Sequence, residues 1–136
     1  MSRIMAVDPG SKNIGIAISD PSGTIANPLQ VINHVSRHEN AVAIVALAEK
    51  YGAVEIVIGQ SMDQDGQPTF EGRRAARLAG EIRSITEIEV ILWDESHSTI
   101  AARQAQIALG TPRSKRRGHL DELAATVVLQ SYLDHQ

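Results

Sequence analysis

The chain contains no cysteine. Disulfides, thiolate metal sites and cysteine nucleophiles are excluded, so any metal must be held by oxygen or imidazole. Aromatic residues make up 3% of its 136 residues, too few for the rows of rings on which single strands stack. No stretch approaches the ~18 uninterrupted apolar residues of a membrane span, and the apolar start of "MSRIMAVDPG" is cut short by Asp8 and Pro9. The protein is expected to be neither exported nor membrane-spanning, and a cytoplasmic location suits a chain without thiols. A large positive excess is missing as well: the formal net charge is −3, which argues against indiscriminate binding to nucleic acid, where phosphate neutralisation dominates. There is no low-complexity run and no fixed-period repeat. What remains, 43% hydrophobic and 21% charged residues, is an ordinary globular composition, and the length suits one domain over 1–136.

Local charge departs from the mean. The segment "TPRSKRRGH" holds Arg113, Lys115, Arg116 and Arg117, four of the 13 basic residues, in a stretch that Pro112 and Gly118 mark as a loop. A second group, Arg73, Arg74 and Arg77, falls where a helix begins. Either cluster reads equally as a solvated face or as a phosphate contact. With so few aromatics, contact with the nucleic-acid backbone is the expected mode.

Periodicity gives the architecture. "IMAVDPGSKNIGIAIS" is two β-branched, apolar runs joined by a turn. Asp8 is expected at its first corner, Pro9 next, and Gly10 supplies a positive φ. "GTIANPLQVIN" reads as a third strand, interrupted or at an edge because of Pro28. The Ala-rich "ENAVAIVALAEKYG" is a helix stopped by Gly52, and "AVEIVIG" a strand buried on both faces. A polar loop "QSMDQDGQPT" leads to the helix "FEGRRAARLAGEIRSIT", the strand "IEVILWDE" and the helix "STIAARQAQIALG". After the basic loop, "HLDELAATVVLQSYLD" forms the last helix, with Leu120, Leu123, Ala124, Val127 and Val128 on one face. Hairpin strands first and β-α-β-α afterwards predict an α/β fold, a mixed five-stranded sheet with helices packed on it.

Ligand sites in such sheets gather outside the carboxyl ends of the parallel strands. Asp8 lies there, and the strand "VILWDE" ends in Asp94 and Glu95, whose side chains alternate between faces. Periodicity leaves open which of the two faces Asp8; the longer Glu95 reaches further. Asp121 is the third candidate, in the first turn of the last helix and beside small residues that let a helix approach closely. Each acid alone has a plain alternative as a turn or helix-capping group. Together they form a set of hard oxygen ligands suited to Mg²⁺ or Mn²⁺.

Four segments, in order, resemble the YqgF (RuvX-type) family of Holliday junction resolvases, small proteins of the ribonuclease H-like superfamily. Asp8, Gly10, Lys12, Gly15 and Ala17, closed by Ser19 and Asp20, match its D-x-G-x-K-x-x-G-x-A run. "GQSMDQDG" from Gly59 to Gly66 is similar to its glycine-bounded loop, "DESHST" to its D-E-R-x-[ST]-T segment, and "RRGHLDELAATVVLQSYLD" to its ending. The resemblance implies a ribonuclease H-like nuclease in which Asp8, Glu95 and Asp121 form a catalytic cluster binding Mg²⁺ or Mn²⁺. Lys12, Arg113, Lys115, Arg116 and Arg117 would contact phosphates of a nucleic-acid partner, either structured DNA or precursor rRNA, and there is room for a homodimer.

Two positions depart from the pattern. Ser96 stands where the family has Arg, removing one cation from the substrate's surroundings, and Ser61 stands where it has Pro, which predicts a less rigid loop. His97 and His119 read better as exposed or structural residues than as proton carriers, and Trp93 as core. Two rivals remain. An actin-like ATPase shares D-x-G-x-K after a strand but needs two lobes, for which the chain is too short. A non-catalytic nucleic-acid or protein-binding module would keep the fold and lose the chemistry; the retained acids argue against it.

Overall fold

The computed structural model describes residues 2–95 and 113–136. Five strands, β1 (Arg3–Pro9), β2 (Asn13–Ser19), β3 (Ala26–Asn33), β4 (Ala53–Gln60) and β5 (Glu89–Asp94), form one sheet in the order β3-β2-β1-β4-β5. The first three are antiparallel neighbours, and β4 and β5 run parallel to β1. This is the expected mixed sheet. Helices α1 (Arg37–Lys50) and α2 (Phe70–Ile85) cover one face, and α3 (Arg113–Asp134) crosses the other over β1, β2 and β3.

Alternation along the strands assigns the faces. Met5, Val7, Ile14, Ile16, Ile56, Ile58 and Val90 pack with Ile44 of α1 and Leu78 and Ile82 of α2. The intervening Ala6, Ala17 and Val57 meet Ala125, Val128, Leu129 and Tyr132 of α3, with Ile91 and Trp93 packed alongside. Small residues on β1 and β2 let α3 lie close to the sheet. Ser36 caps α1 by accepting the Glu39 N–H at 3.1 Å, and Thr69 caps α2 by accepting that of Gly72 at 3.1 Å. Gly52, at φ 70°, carries the chain out of α1. Pro28 sits on the edge strand, where the β2–β3 register slips, so its missing N–H interrupts no central ladder.

Three expectations change. Asp8 is inside the ladder, paired with Gly15, and not at the corner of the turn. Gly10 does not take a positive φ; a Cβ there would run into the Asn13 carbonyl oxygen, which accepts the Gly10 N–H. The close approach, not the backbone angle, demands glycine. The basic segment is helical: α3 begins at Arg113, because Arg and Lys are good helix formers and one glycine costs a 22-residue helix only about 1 kcal/mol. Asp121 therefore lies more than two turns into α3. The helix expected over residues 98–110 lies outside the described residues.

Candidate active site

The parallel strands β1, β4 and β5 end at one edge of the sheet, with β4 in the middle. Residues on β1 and β5 are two strand spacings apart, about 9.6 Å. Asp8 continues the face of Ala6, and Glu95 that of Ile91 and Trp93, so both point to the α3 side. Asp94, paired with Gln60 and exposed, falls on the other parity.

Between the two acids stands Gly59. A Cβ placed on it would lie 2.8 Å from Glu95 Oε2, 3.6 Å from Asp8 Oδ1 and 3.3 Å from Val128 Cγ2. The two carboxylate oxygens thus occupy the space a side chain on β4 would fill, and they are no farther apart than those two distances laid end to end. Gly15, buried opposite Asp8 on β2, leaves the other flank equally bare. Both carboxylates are half-buried. Two hard oxygen donors converging over a glycine suit one divalent ion, or a pair about 4 Å apart.

Among the described residues no third acid or histidine side chain joins them. The position of residue 121 follows from the helix backbone. Tyr132 hydroxyl donates to Glu55 Oε1 at 2.8 Å near the start of β4, and Val128 sits over Gly59 near its end. α3 therefore runs antiparallel to β4, and continuing back towards its N-terminus leads past the strand ends. Residue 121 lies two turns before Val128 on the same face of the helix. The side chains of Arg113, Lys115, Arg116, Arg117, His119 and Asp121 lie outside the described residues, as do Ser96 and His97. By register, residues 113, 116 and 117 share one side of α3 and residue 115 falls opposite. Lys12 is exposed in the β1–β2 turn, a few residues from Asp8.

The loop from Gly59 to Gly66 is more tied than expected of a serine at position 61. Thr69 donates its N–H to the Ser61 carbonyl at 3.1 Å, and its hydroxyl lies 2.8 Å from Ser61 Oγ. Asp63 Oδ1 accepts the N–H groups of Asp65 and Gln67, each at 2.9 Å. Asp20 organises the β2–β3 connection. The N–H groups of Ile25 and Thr24 and the Ser22 hydroxyl hold its carboxyl well below the ordinary carboxylate range, the Ile25 bond most strongly. Ser19, buried, accepts the Ile4 N–H at 2.8 Å. Trp93 packs edge-on to Tyr132, with its Nε1 3.3 Å from Ser131 Oγ. The single phenylalanine, Phe70, is exposed, with the Arg73 guanidinium 6.0 Å from its ring centre. Composition excluded a platform of many rings, not this one.

Sequence reasoning missed the part played by Gly59, which it placed only at a loop boundary. The signal was present: "VIG" on β4 puts glycine on the parity of Val57, the same side as Asp8.

A mixed sheet in this strand order, with acids gathered at the carboxyl ends of its parallel strands, defines the ribonuclease H-like fold class of resolvases and nucleases. The large terminase nuclease from thermophilic phage G20c shares it at TM-score 0.62, 14% identity, covering 96% of this chain and 81% of that one. T. thermophilus RuvC, solved in complex with a Holliday junction substrate, matches at TM-score 0.57 and 13% identity, covering 99% and 96%. The chain belongs to the RuvX Holliday junction resolvase family, whose model matches residues 2–135. A relative from Caldanaerobacter subterraneus subsp. tengcongensis, described as "Putative pre-16S rRNA nuclease", is 36% identical over 135 residues, covering 98% of this chain and 97% of its own. Among the described residues no helix is long and apolar enough to cross a membrane.

Proposed function

We propose that the chain is a nuclease that hydrolyses phosphodiester bonds with Mg²⁺ or Mn²⁺ held by Asp8, Glu95 and Asp121. The observation that carries this reading is the meeting of the Asp8 and Glu95 carboxylates over Gly59. When bound, such an ion would supply the positive charge that favours hydroxide formation and offsets the charge developing on the leaving oxygen. Asp8 and Glu95 would fix its place because both rise from strand ends of one rigid sheet, and α3 carries residue 121 towards that same edge. The half-buried setting limits competing water around the carboxylates. Lys12, Arg113, Lys115, Arg116 and Arg117 position phosphates without reading bases.

Precursor 16S rRNA is the favoured substrate, because the 36%-identical relative carries that description. A four-way DNA junction is the second substrate in the same reaction class. Its resolution needs two symmetric cuts and hence a homodimer, whereas trimming an rRNA end needs one.

The test compares wild type with Asp8→Ala on precursor-rRNA fragments and four-way junctions, each with Mg²⁺ and Mn²⁺. Cleavage by the wild type, lost in a folded Asp8→Ala protein, is the expected result. Retained cleavage in that variant refutes the site. A wild type that binds RNA but never cleaves it, and that Mg²⁺ does not stabilise, identifies a binding module instead.

A further inference from the structure

Across the sheet from the carboxylates, a cleft of about 230 Å³ opens beside the β1–β2 turn. Pro9, Gly10 and Ile14 line its strand side, the first turn of α1 brings Arg37 and Asn40, and the first two turns of α2 bring Glu71 and Arg74. Both helices run antiparallel to β4, so both N-termini and their positive dipole ends face this edge of the sheet. Cations at such positions work against the dipole unless an anion lies between them. Here the Arg37 guanidinium stands at the N-terminus of α1, and Arg74 follows one turn into α2.

The cleft is also preset for donation. Asn40, only 4% exposed, accepts the Val35 N–H through Oδ1 at 3.0 Å. That directs its Nδ2 to His34 Nδ1 at 2.9 Å, which leaves the His34 proton on Nε2. Glu71 is the one carboxylate among the lining residues, and it takes a single nitrogen of Arg74, Nη1, at 3.3 Å. The guanidinium has five donors.

We propose that this cleft binds a phosphate group of the substrate strand, one or two nucleotides from the bond cut at Asp8 and Glu95. The inference rests on the nuclease reading. Pro9 and Gly10 follow Asp8 directly but face the other side of the sheet, so the cleft lies around the strand end from the carboxylates, about 10 Å away. The backbone of an extended strand covers that distance in one or two nucleotides. A strand passing over the edge of the sheet meets the carboxylates on one side, Lys12 at the turn, and Arg37 and Arg74 on the other. Half-buried Pro9 at the rim offers an apolar surface for the adjoining sugar, over a floor of buried Ile14 and Leu78.

The test measures binding in chelator, without cleavage, by anisotropy of a fluorescent 12-nucleotide RNA and a labelled four-way junction. Arg37→Ala with Arg74→Ala should weaken binding about tenfold and reduce the magnitude of the salt slope by about one. Glu71→Gln, which frees Arg74, should tighten it, an opposite response that a merely structural role does not give. Melting of both variants checks the fold. Adenosine 5′-monophosphate is titrated in parallel. If the double variant loses adenosine 5′-monophosphate but binds both nucleic acids as before, the strand assignment is overturned and the cleft is a mononucleotide site. Unchanged affinity for all three probes overturns the cleft as a phosphate site while leaving the nuclease reading standing. A wild type that binds neither nucleic acid overturns both readings.

Discussion

Gly59→Ala places one methyl group where the two carboxylates meet. At 2.8 Å from Glu95 Oε2 the new carbon is well inside van der Waals contact, and at 3.3 Å from Val128 Cγ2 it presses lightly on α3. The end of Glu95 has to withdraw by roughly half an ångström, because close-packed interiors offer no slack. A flexible carboxylate yields cheaply, so the cost in stability sits at the low end of overpacking, about 1 kcal/mol. The cost to chemistry is larger. Misplacing reacting groups by 1 Å costs about 100-fold, so half of that is about tenfold. Metal-dependent cleavage by the variant should fall by at least about tenfold, and the rise in melting temperature on adding Mg²⁺ should shrink. Gly80→Ala is the control: that exposed position in α2 has nothing within 4 Å of a new Cβ, and the change should stabilise the protein by about 0.5–1 kcal/mol. A Gly59→Ala protein that cleaves at the wild-type rate with an undiminished Mg²⁺ effect refutes the reasoning.

Three further outcomes are expected. Replacing Arg116 and Arg117 by Ala should weaken binding across unrelated sequences and lower the magnitude of the salt slope by up to roughly two, measured by titration at several salt concentrations; a change in which sequence is cut shows base reading instead. Burial, then the bond to Glu55, pushes the Tyr132 hydroxyl up to about 12. A raised folded pKa means that its contribution is whole below pH 10 and is lost as pH rises towards 12; urea denaturation of Tyr132→Phe should lack this alkaline loss while costing about 1–2 kcal/mol at neutral pH. Gly72→Ala drives a Cβ into the Ser61 carbonyl oxygen, a backbone clash that should lower stability by about 2 kcal/mol or more; an unchanged denaturation midpoint shows that loop and helix part freely.

Much of this was legible because the sheet layers obey simple periods. The apolar runs of β1, β4 and β5 and the glycine at the end of α1 are local signals, and the structure keeps them. Glu95 over Asp94 was not decided by reach alone. It follows from Trp93 and Ile91, whose place under α3 sets the parity of the strand, and only tertiary packing reveals which face α3 takes. The start of α3 was hidden by conflicting signals: the helix propensity of Arg113 to Arg117 favours helix, while their charge at an N-terminus and Gly118 oppose it. The cleft of Arg37 and Arg74 could not be read at all, since its walls come from two helices joined only through the fold.

The position of Val128 over Gly59 also sets an order in time. α3 follows all five strands in the chain, yet it lies on β1, β2 and β3, the three that come before the others. Until it docks, Ala6, Ala17, Val57, Ile91 and Trp93 present a bare apolar face, and the long sequence separation makes that docking a slow, late event. Residue 121 arrives on that same helix, so the site proposed above could close only once α3 has docked. Loss of α3 should therefore leave the sheet covered on one side only, with a sticky apolar face exposed, and it removes the third ligand of the proposed site.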